Sequence, residues 1–177
     1  MNPEIISILN ARSPDMRMLP RGYGALSQID IAHALGRVEN DGARYLGRVL
    51  WAEQDQLATP LADCLYSQLL SHARRYRWKN TKALFNLSRL SVQLYCHPKR
   101  CVKCKGIGQR HIANKVYICA RCNGSTWHVD SQATLARHIG VGKDAWSRVW
   151  EYRLKEALAI LGDMERELLK DLSKIMA

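Results

Sequence analysis

Apolar residues recur at helical spacing along most of the chain. From Ser27 to about Val38 the repeat is carried by Ile31, Ala34 and Leu35, and from about Gly42 to Gln56 by Tyr45, Leu46, Val49 and Leu50, so both stretches predict helices with one face on a core. Thr59 followed by Pro60 reads as an N-cap with proline at the first helical position, and Leu61, Leu65, Leu69 and Ala73 extend that helix as one stripe. A further helix, capped by Asn80 or Thr81, carries Leu84, Leu87, Leu90 and Leu94 and stops before Pro98. The pattern then changes. QRHIANKVYI predicts two short strands joined near Ala113 and Asn114, and Thr126 to Val129 suggests another. Beyond it Ser131 caps a short helix, and a glycine turn leads into a longer one with Trp146, Trp150, Leu154, Ala157, Leu158 and Leu161. Past Gly162 an amphipathic run adds Leu168, Leu172 and Ile175.

These elements predict a mainly α protein: a helical bundle with an inserted four-cysteine, zinc-ribbon-like module holding a small β-hairpin, and a helix-turn-helix. The expected divisions are an N-terminal arm (1–24), where Pro3, Pro14, Pro20, Gly22 and Gly24 keep any helix short, a helical region (25–97), a zinc-binding module (98–129), the helix-turn-helix (130–162) and a C-terminal amphipathic helix (163–177). With 177 residues, 47% of them hydrophobic, the chain can furnish a core. It has no apolar run of the roughly 18 residues that a membrane span needs, and MNPEIISILNARSPDM lacks a basic start and a small-residue cleavage site. The expectation is a cytoplasmic protein with no membrane partner.

Charge sharpens this picture. The net charge is +11, yet between Asp63 and Asp130 there is no carboxylate and there are thirteen cations: Arg74, Arg75, Arg77, Lys79, Lys82, Arg89, Lys99, Arg100, Lys103, Lys105, Arg110, Lys115 and Arg121. The rest of the chain sums to 14 − 16 = −2. A long acid-free basic segment in an otherwise neutral protein is the footprint of a polyanion, most often nucleic acid, whereas a merely solvated face usually intersperses Glu and Asp. Within it, Arg74-Arg75-Tyr76-Arg77-Trp78-Lys79 interleaves cations with aromatic rings. That composition suits either phosphate contacts backed by stacking or a helix end whose rings pack inward.

Four of the six cysteines form Cys101-x-x-Cys104 and Cys119-x-x-Cys122, with fourteen residues between the pairs. In a cytosolic chain disulfides are disfavoured, and two short-spaced pairs supply the four thiolates of a closed tetrahedral zinc site. Gly106, Gly108 and Gly124 follow the pairs where the backbone must turn sharply. A closed site leaves no open position for water, so one structural Zn²⁺ is expected. Cys96 and His97 are nearby alternatives as ligands, and Cys64 reads as an ordinary buried thiol.

In SQATLARHIGVGKDAWSRVWEYRLKEALAIL, taking Gly140 as the turn glycine places Ala136 where only a small side chain fits between crossing helices. Leu135 and Ile139 then face the core, with Trp146 and Val149 on the buried side of the second helix. Gly142, Lys143, Asp144, Ser147, Arg148 and Glu151 are left facing outward, where a recognition helix meets base edges and phosphates. Arg110 and Lys115 of the zinc module join this expected DNA-contacting set. DIAHALGRVENDG fails the same register, because a buried position falls on Gly42.

The order helices, CVKCKGIGQ, an intervening segment, CARCNGS and then DAWSRVWEYRLKEAL resembles the Q-type late-gene antitermination proteins of lambdoid bacteriophages from about Ser27 to Leu161. The cysteine spacing alone also resembles the CxxCxGxG zinc domain of DnaJ chaperones, but Thr126 replaces the last glycine of the second repeat and no His-Pro-Asp signature is present. The phage resemblance implies a regulator in the bacterial host cytoplasm that binds double-stranded DNA at a late promoter. It would load onto paused host RNA polymerase holoenzyme, with elongation factors and nascent RNA as further partners, and carry it past terminators. A conventional helix-turn-helix regulator of initiation is the competing reading. Catalysis is not expected, since no Ser/His/Asp arrangement, phosphate-binding glycine loop or acidic metal cluster is found.

Overall fold

The computed structural model describes residues 33–76, 78–112, 115–124, 126–128 and 130–175. The expected arm over 1–24, the first residues of the helix expected from Ser27, and Arg77 lie outside them. After a helical turn at 33–36 come α1 (Asp41–Trp51), a 3-10 turn (Asp55–Leu57), α2 (Ala58–Arg75) and α3 (Thr81–Cys96). A two-stranded antiparallel sheet of β1 (Gln109–Ile112) and β2 (Lys115–Ile118) follows, then α4 (Gln132–Ile139), α5 (Lys143–Ala145), a π-helical turn (Trp146–Trp150) and α6 (Glu151–Ile175). The fold is mainly helical with one small hairpin and a cluster of four cysteines, as the sequence predicts.

Side-chain caps set most helix starts. Asn40, Asn80 and Ser131 accept hydrogen bonds from the backbone N–H groups of Ala43, Ala83 and Thr134, so α1, α3 and α4 each have one otherwise orphaned donor satisfied. α2 starts differently from the expected Thr59 cap. The 3-10 turn delivers Leu57 and Ala58 already in helical conformation, so the helix begins before Thr59, and Pro60 sits inside its first turn, where a missing N–H costs nothing.

The core forms where the apolar stripes meet. Leu61, Leu65 and Leu69 of α2, Leu84 and Leu87 of α3, and Leu154, Leu158 and Leu161 of α6 are buried in one cluster that also takes in Leu46 and Val49 of α1. A second, smaller cluster joins Leu35, Val38 and Ala43 to Leu168 and Leu172. Gly47 makes that junction possible, because a Cβ there would stand 2.5 Å from Leu35 and 2.8 Å from Leu168.

Two expectations are corrected. The separate C-terminal helix from 163 is part of α6, which runs through Gly162 without a break. A mid-helix glycine costs only about 1 kcal/mol relative to alanine, and the buried stripe Leu158, Leu161, Met164, Leu168 and Leu172 keeps its phase across it. A third strand over Thr126–Val129 is reduced to an isolated bridge between Arg100 and Trp127. Thr126 lies in the left-handed region at φ 68°, which interrupts extended backbone, and Val129 is outside the described residues. Among the described residues no helix is long and apolar enough to cross a membrane.

Candidate metal centre and nucleic-acid interface

The inserted module is built on two similar knuckles. In the first, Cys101-Val-Lys-Cys104 is followed by Lys105 (φ 53°), Gly106 (φ 85°) and Gly108 (φ 77°). In the second, Cys119-Ala-Arg-Cys122 is followed by Asn123 (φ 47°), Gly124 (φ 83°) and Thr126 (φ 68°). The left-handed residues fold each chain back so that amides face sulfur: the Gly108 N–H donates to Cys104 Sγ at 3.2 Å, and the Thr126 N–H serves Cys122 in the same way. Gly108 is required by closeness as well as by φ, because a Cβ there would meet the Gly124 carbonyl oxygen at 2.7 Å.

The four sulfurs converge. All lie within 4.8 Å of one another, with Cys101 to Cys119 at 3.9 Å and Cys104 to Cys122 at 3.7 Å. A tetrahedron of thiolates with Zn–S bonds of about 2.3 Å has edges of about 3.8 Å, so these residues, all buried, can hold one metal ion. The spacings are far beyond a disulfide bond. At Cys104 burial opposes the thiolate, but the Gly108 amide, the Cys122 thiol and the Gly106 amide outweigh it and bring its pKa down to about 6. At Cys119 the backbone amide of Cys122 is the main influence, again favouring thiolate, while burial pushes Cys122 up to about 11. Cys96 is buried in the helical core, apart from the cluster, and His97 faces Asp55 at 3.5 Å. Cys64 is half-buried, its thiol pushed up first by burial and then by Asp41 and Asp63.

No other hydrophobic residue of this module is buried among the described residues. Its buried cluster is the four cysteines, while Val102, Ile107, Val116, Tyr117 and Ile118 are exposed. The hairpin, with Arg110 opposite Tyr117 and Ile112 opposite Lys115, leaves every residue of β2 exposed. Among its described side chains none is buried against the helical core, and the Cys119 N–H at its end donates to the Gly108 carbonyl at 2.9 Å.

α4 and the long helix that follows form the expected helix-turn-helix. Leu135, Ala136 and Ile139 are buried, and Gly140 ends α4 in the left-handed conformation at φ 78°. Asn86 of α3 donates to the Ile139 carbonyl at 3.4 Å, so the turn is held against the bundle. Trp146 is fully buried as expected, but Val149 is 41% exposed and Trp150 takes its place inside. The reason is the π turn. The Glu151 N–H donates to the Trp146 carbonyl, one residue beyond an α-helical bond, and this wider turn moves the inward position from 149 to 150.

The expected reading face is otherwise outward. Gly142, Lys143, Asp144, Ser147 and Arg148 are exposed, with Ser147 Oγ donating to the Lys143 carbonyl at 2.9 Å and Arg148 Nε to the Asp144 carbonyl at 3.2 Å. Glu151 is half-buried, and accepts a hydrogen bond from Gln132 Nε2 at 3.1 Å that ties α6 to the start of α4. Of the thirteen basic-segment cations, the twelve described ones are all exposed: Arg74, Arg75, Lys79, Lys82, Arg89, Lys99, Arg100, Lys103, Lys105, Arg110, Lys115 and Arg121. Arg75 lies over the Tyr76 ring and Arg89 over Phe85. None of the twelve forms an ion pair among the described residues.

One feature has no local signal in the sequence. Arg153 stacks between Trp78 and Trp150, its guanidinium carbon 4.4 Å from each ring centroid. This docks the basic-aromatic loop onto the second helix of the helix-turn-helix, so Trp78 packs inward while Tyr76 stays exposed. The pairing of Trp150 with Arg153 at helical spacing is legible, but their meeting with Trp78, some seventy positions earlier, arises only from the fold. Compared with known proteins, the chain matches no family and no curated protein.

Proposed function

We propose that this chain is a zinc-containing, DNA-binding transcription antiterminator of the Q type. In this reading it binds double-stranded DNA at a late promoter through its helix-turn-helix, engages paused host RNA polymerase, and makes it read through terminators. The observation that carries the reading is the adjacency of three things. An outward helix face bearing Lys143, Ser147 and Arg148 follows a four-cysteine module, and a belt of exposed cations that form no ion pair among the described residues runs from α2 through the module. Such a belt suits phosphates, which supply the sequence-independent share of affinity, while the helix face suits base edges.

The resemblance of CVKCKGIGQ, CARCNGS and DAWSRVWEYRLKEAL to that phage family supplies the elongation step. Zinc is the metal best suited to four thiolates in a closed site, where it is structural. The closed donor set also supports a non-enzymatic role. A conventional regulator acting only at initiation would use the same helix face, but has no need of cations spread over two helices, a loop and the metal module. The two readings separate in purified transcription: antitermination raises terminator read-through with little change in initiation, whereas a conventional regulator changes initiation alone.

A further inference from the structure

Beside the outward face of the second helix lies a cavity of about 320 Å³, walled by Tyr76 and Trp78 of the α2–α3 loop and by Arg148, Tyr152, Arg153 and Glu156. That volume is at the lower end of the range for small-ligand sites. We propose that it binds an unpaired nucleobase of a single-stranded nucleic acid, next to the surface that reads the duplex.

Three observations converge on that ligand. The first is exposed aromatic surface in a cationic setting: Tyr76 is 56% and Tyr152 64% exposed, with Arg75 over the Tyr76 ring and the Tyr152 hydroxyl bonded to Glu156. Tyr76 is stacked on Trp78, with centroids 6.2 Å apart and planes within 24°, and Trp78 is itself backed by Arg153. A base can join this stack by taking the place of the exposed Arg75 guanidinium, which lies 5.8 Å from the Tyr76 centroid. The second is a pair of unsatisfied groups. Arg153 Nε and Glu156 Oε2 have no hydrogen-bond partner, although the Glu156 carboxylate also faces His72, Arg153 and the Tyr152 hydroxyl, and both half-buried residues line this cavity. One is a donor and the other an acceptor, and buried polar atoms of that kind normally have a partner. The edge of a nucleobase offers donors and acceptors side by side and complements the guanidinium and carboxylate that these residues bring to the cavity wall. The third is charge: Arg148 lies on the cavity wall, and the exposed cations Arg74, Arg75 and Lys79 neighbour the loop in the chain, a setting that suits the phosphates on either side of a captured base. An apolar peptide would leave the Arg153 and Glu156 groups unsatisfied and gain nothing from these cations.

The site depends on the nucleic-acid reading above only for its class of ligand, since a paired duplex keeps its bases stacked and would leave the cavity empty. The test uses the full-length, zinc-loaded protein and fluorescence anisotropy with labelled single strands of about ten nucleotides, within the span that one such module covers. The probes are a mixed-sequence DNA, the same sequence as RNA, and an abasic DNA with the same phosphates. Wild type should bind the base-bearing DNA or RNA about 5- to 160-fold more tightly than the abasic strand, the span expected for one stacked base. Whichever of the two is preferred identifies the source of the base. Tyr76→Ala and Tyr152→Ala should each remove most of that difference without changing abasic affinity, and Tyr76→Phe should keep it. The proposal is overturned if wild type does not distinguish base-bearing from abasic strands, if the distinction survives both alanine variants, or if those variants lose abasic affinity equally. A blunt duplex carrying the late-promoter element, run in parallel with wild type, reports on the duplex reading alone, so the two can fail separately.

Discussion

Removing the metal should unfold the inserted module and leave the helical bundle standing. Among the described residues the module's buried cluster is four cysteines, Val102, Ile107, Val116, Tyr117 and Ile118 are exposed, and its sheet is a hairpin of four residue pairs. An isolated two-stranded hairpin is marginal at best in water, whereas zinc binding in comparable four-ligand sites contributes roughly 10–16 kcal/mol. The metal term therefore dominates. Divided evenly among the ligands it comes to about 3 kcal/mol each, so Cys101→Ser, which replaces a fully buried thiolate donor, should weaken metal affinity by about two orders of magnitude. Neither helical-core cluster contains a residue between Cys96 and Leu135, so the bundle loses no packing. Hydrogen exchange read by mass spectrometry gives the direct assay. With chelator, or in Cys101→Ser, the amides of Cys101, Ile107 and Cys119, bonded to the Thr126, Cys104 and Gly108 carbonyls, should exchange at nearly the unprotected rate. Those of α2 and α3 should keep their protection. Module amides that stay protected without metal, or a bundle that opens at the same chelator concentration, would refute the reasoning.

Three further outcomes follow from particular residues. Gly108→Ala should weaken metal binding far more than Gly106→Ala, because the added Cβ meets the backbone oxygen of Gly124 at 2.7 Å in the first case and only the Arg100 side chain at 3.4 Å in the second; equal effects in a cobalt titration would contradict this. Tyr95 donates to the buried Glu165 carboxylate at 2.5 Å, and burial, then Glu165, push its phenol up. Tyr95→Phe should therefore cost about 1–2 kcal/mol at neutral pH. A raised phenol pKa contributes stability that is present in full below the unfolded value of about 10 and declines as pH rises past it, so denaturant midpoints of wild type and variant should converge in alkali. A gap independent of pH would count against the assignment. Arg148→Ala should lose about 1–3 kcal/mol at one position of the DNA site, whereas Lys103→Ala or Lys115→Ala should leave site preference intact and flatten the log-log salt dependence by about 0.9 for each phosphate that is no longer neutralised; binding isotherms over a salt series separate the two.

Local chemistry was legible in the sequence, and long-range geometry was not. The leucine stripes of α2 and α3, the Asn80 and Ser131 caps, the hairpin and the convergence of the four cysteines all depend on neighbours within a few turns, and the structure has them as expected. Val149 was misplaced because a π turn cannot be read from apolar spacing: Trp146, Val149 and Trp150 fit an α-helical stripe whichever residue is buried. Gly162 reads as a boundary, but the buried stripe keeps its phase across it, from Leu158, Leu161 and Met164 in the main core to Leu168 and Leu172 in the smaller cluster. Thr126 hid the equivalence of the two knuckles, since a β-branched residue at φ 68° is uncommon and glycine is the residue that signals such a turn. The docking of Trp78 on Arg153, and with it the cavity beside the helix-turn-helix, required the fold itself.

We propose that this protein acts on elongating polymerase. The most direct test is the fraction of transcripts that pass an intrinsic terminator placed downstream of the native late promoter, made by purified host RNA polymerase with its pause site and elongation factors present. Wild-type protein should raise that fraction with little change in initiation, and Arg148→Ala and Cys101→Ser should each reduce the rise. Unchanged read-through with altered initiation would contradict the proposal and identify the chain as a conventional promoter-binding regulator.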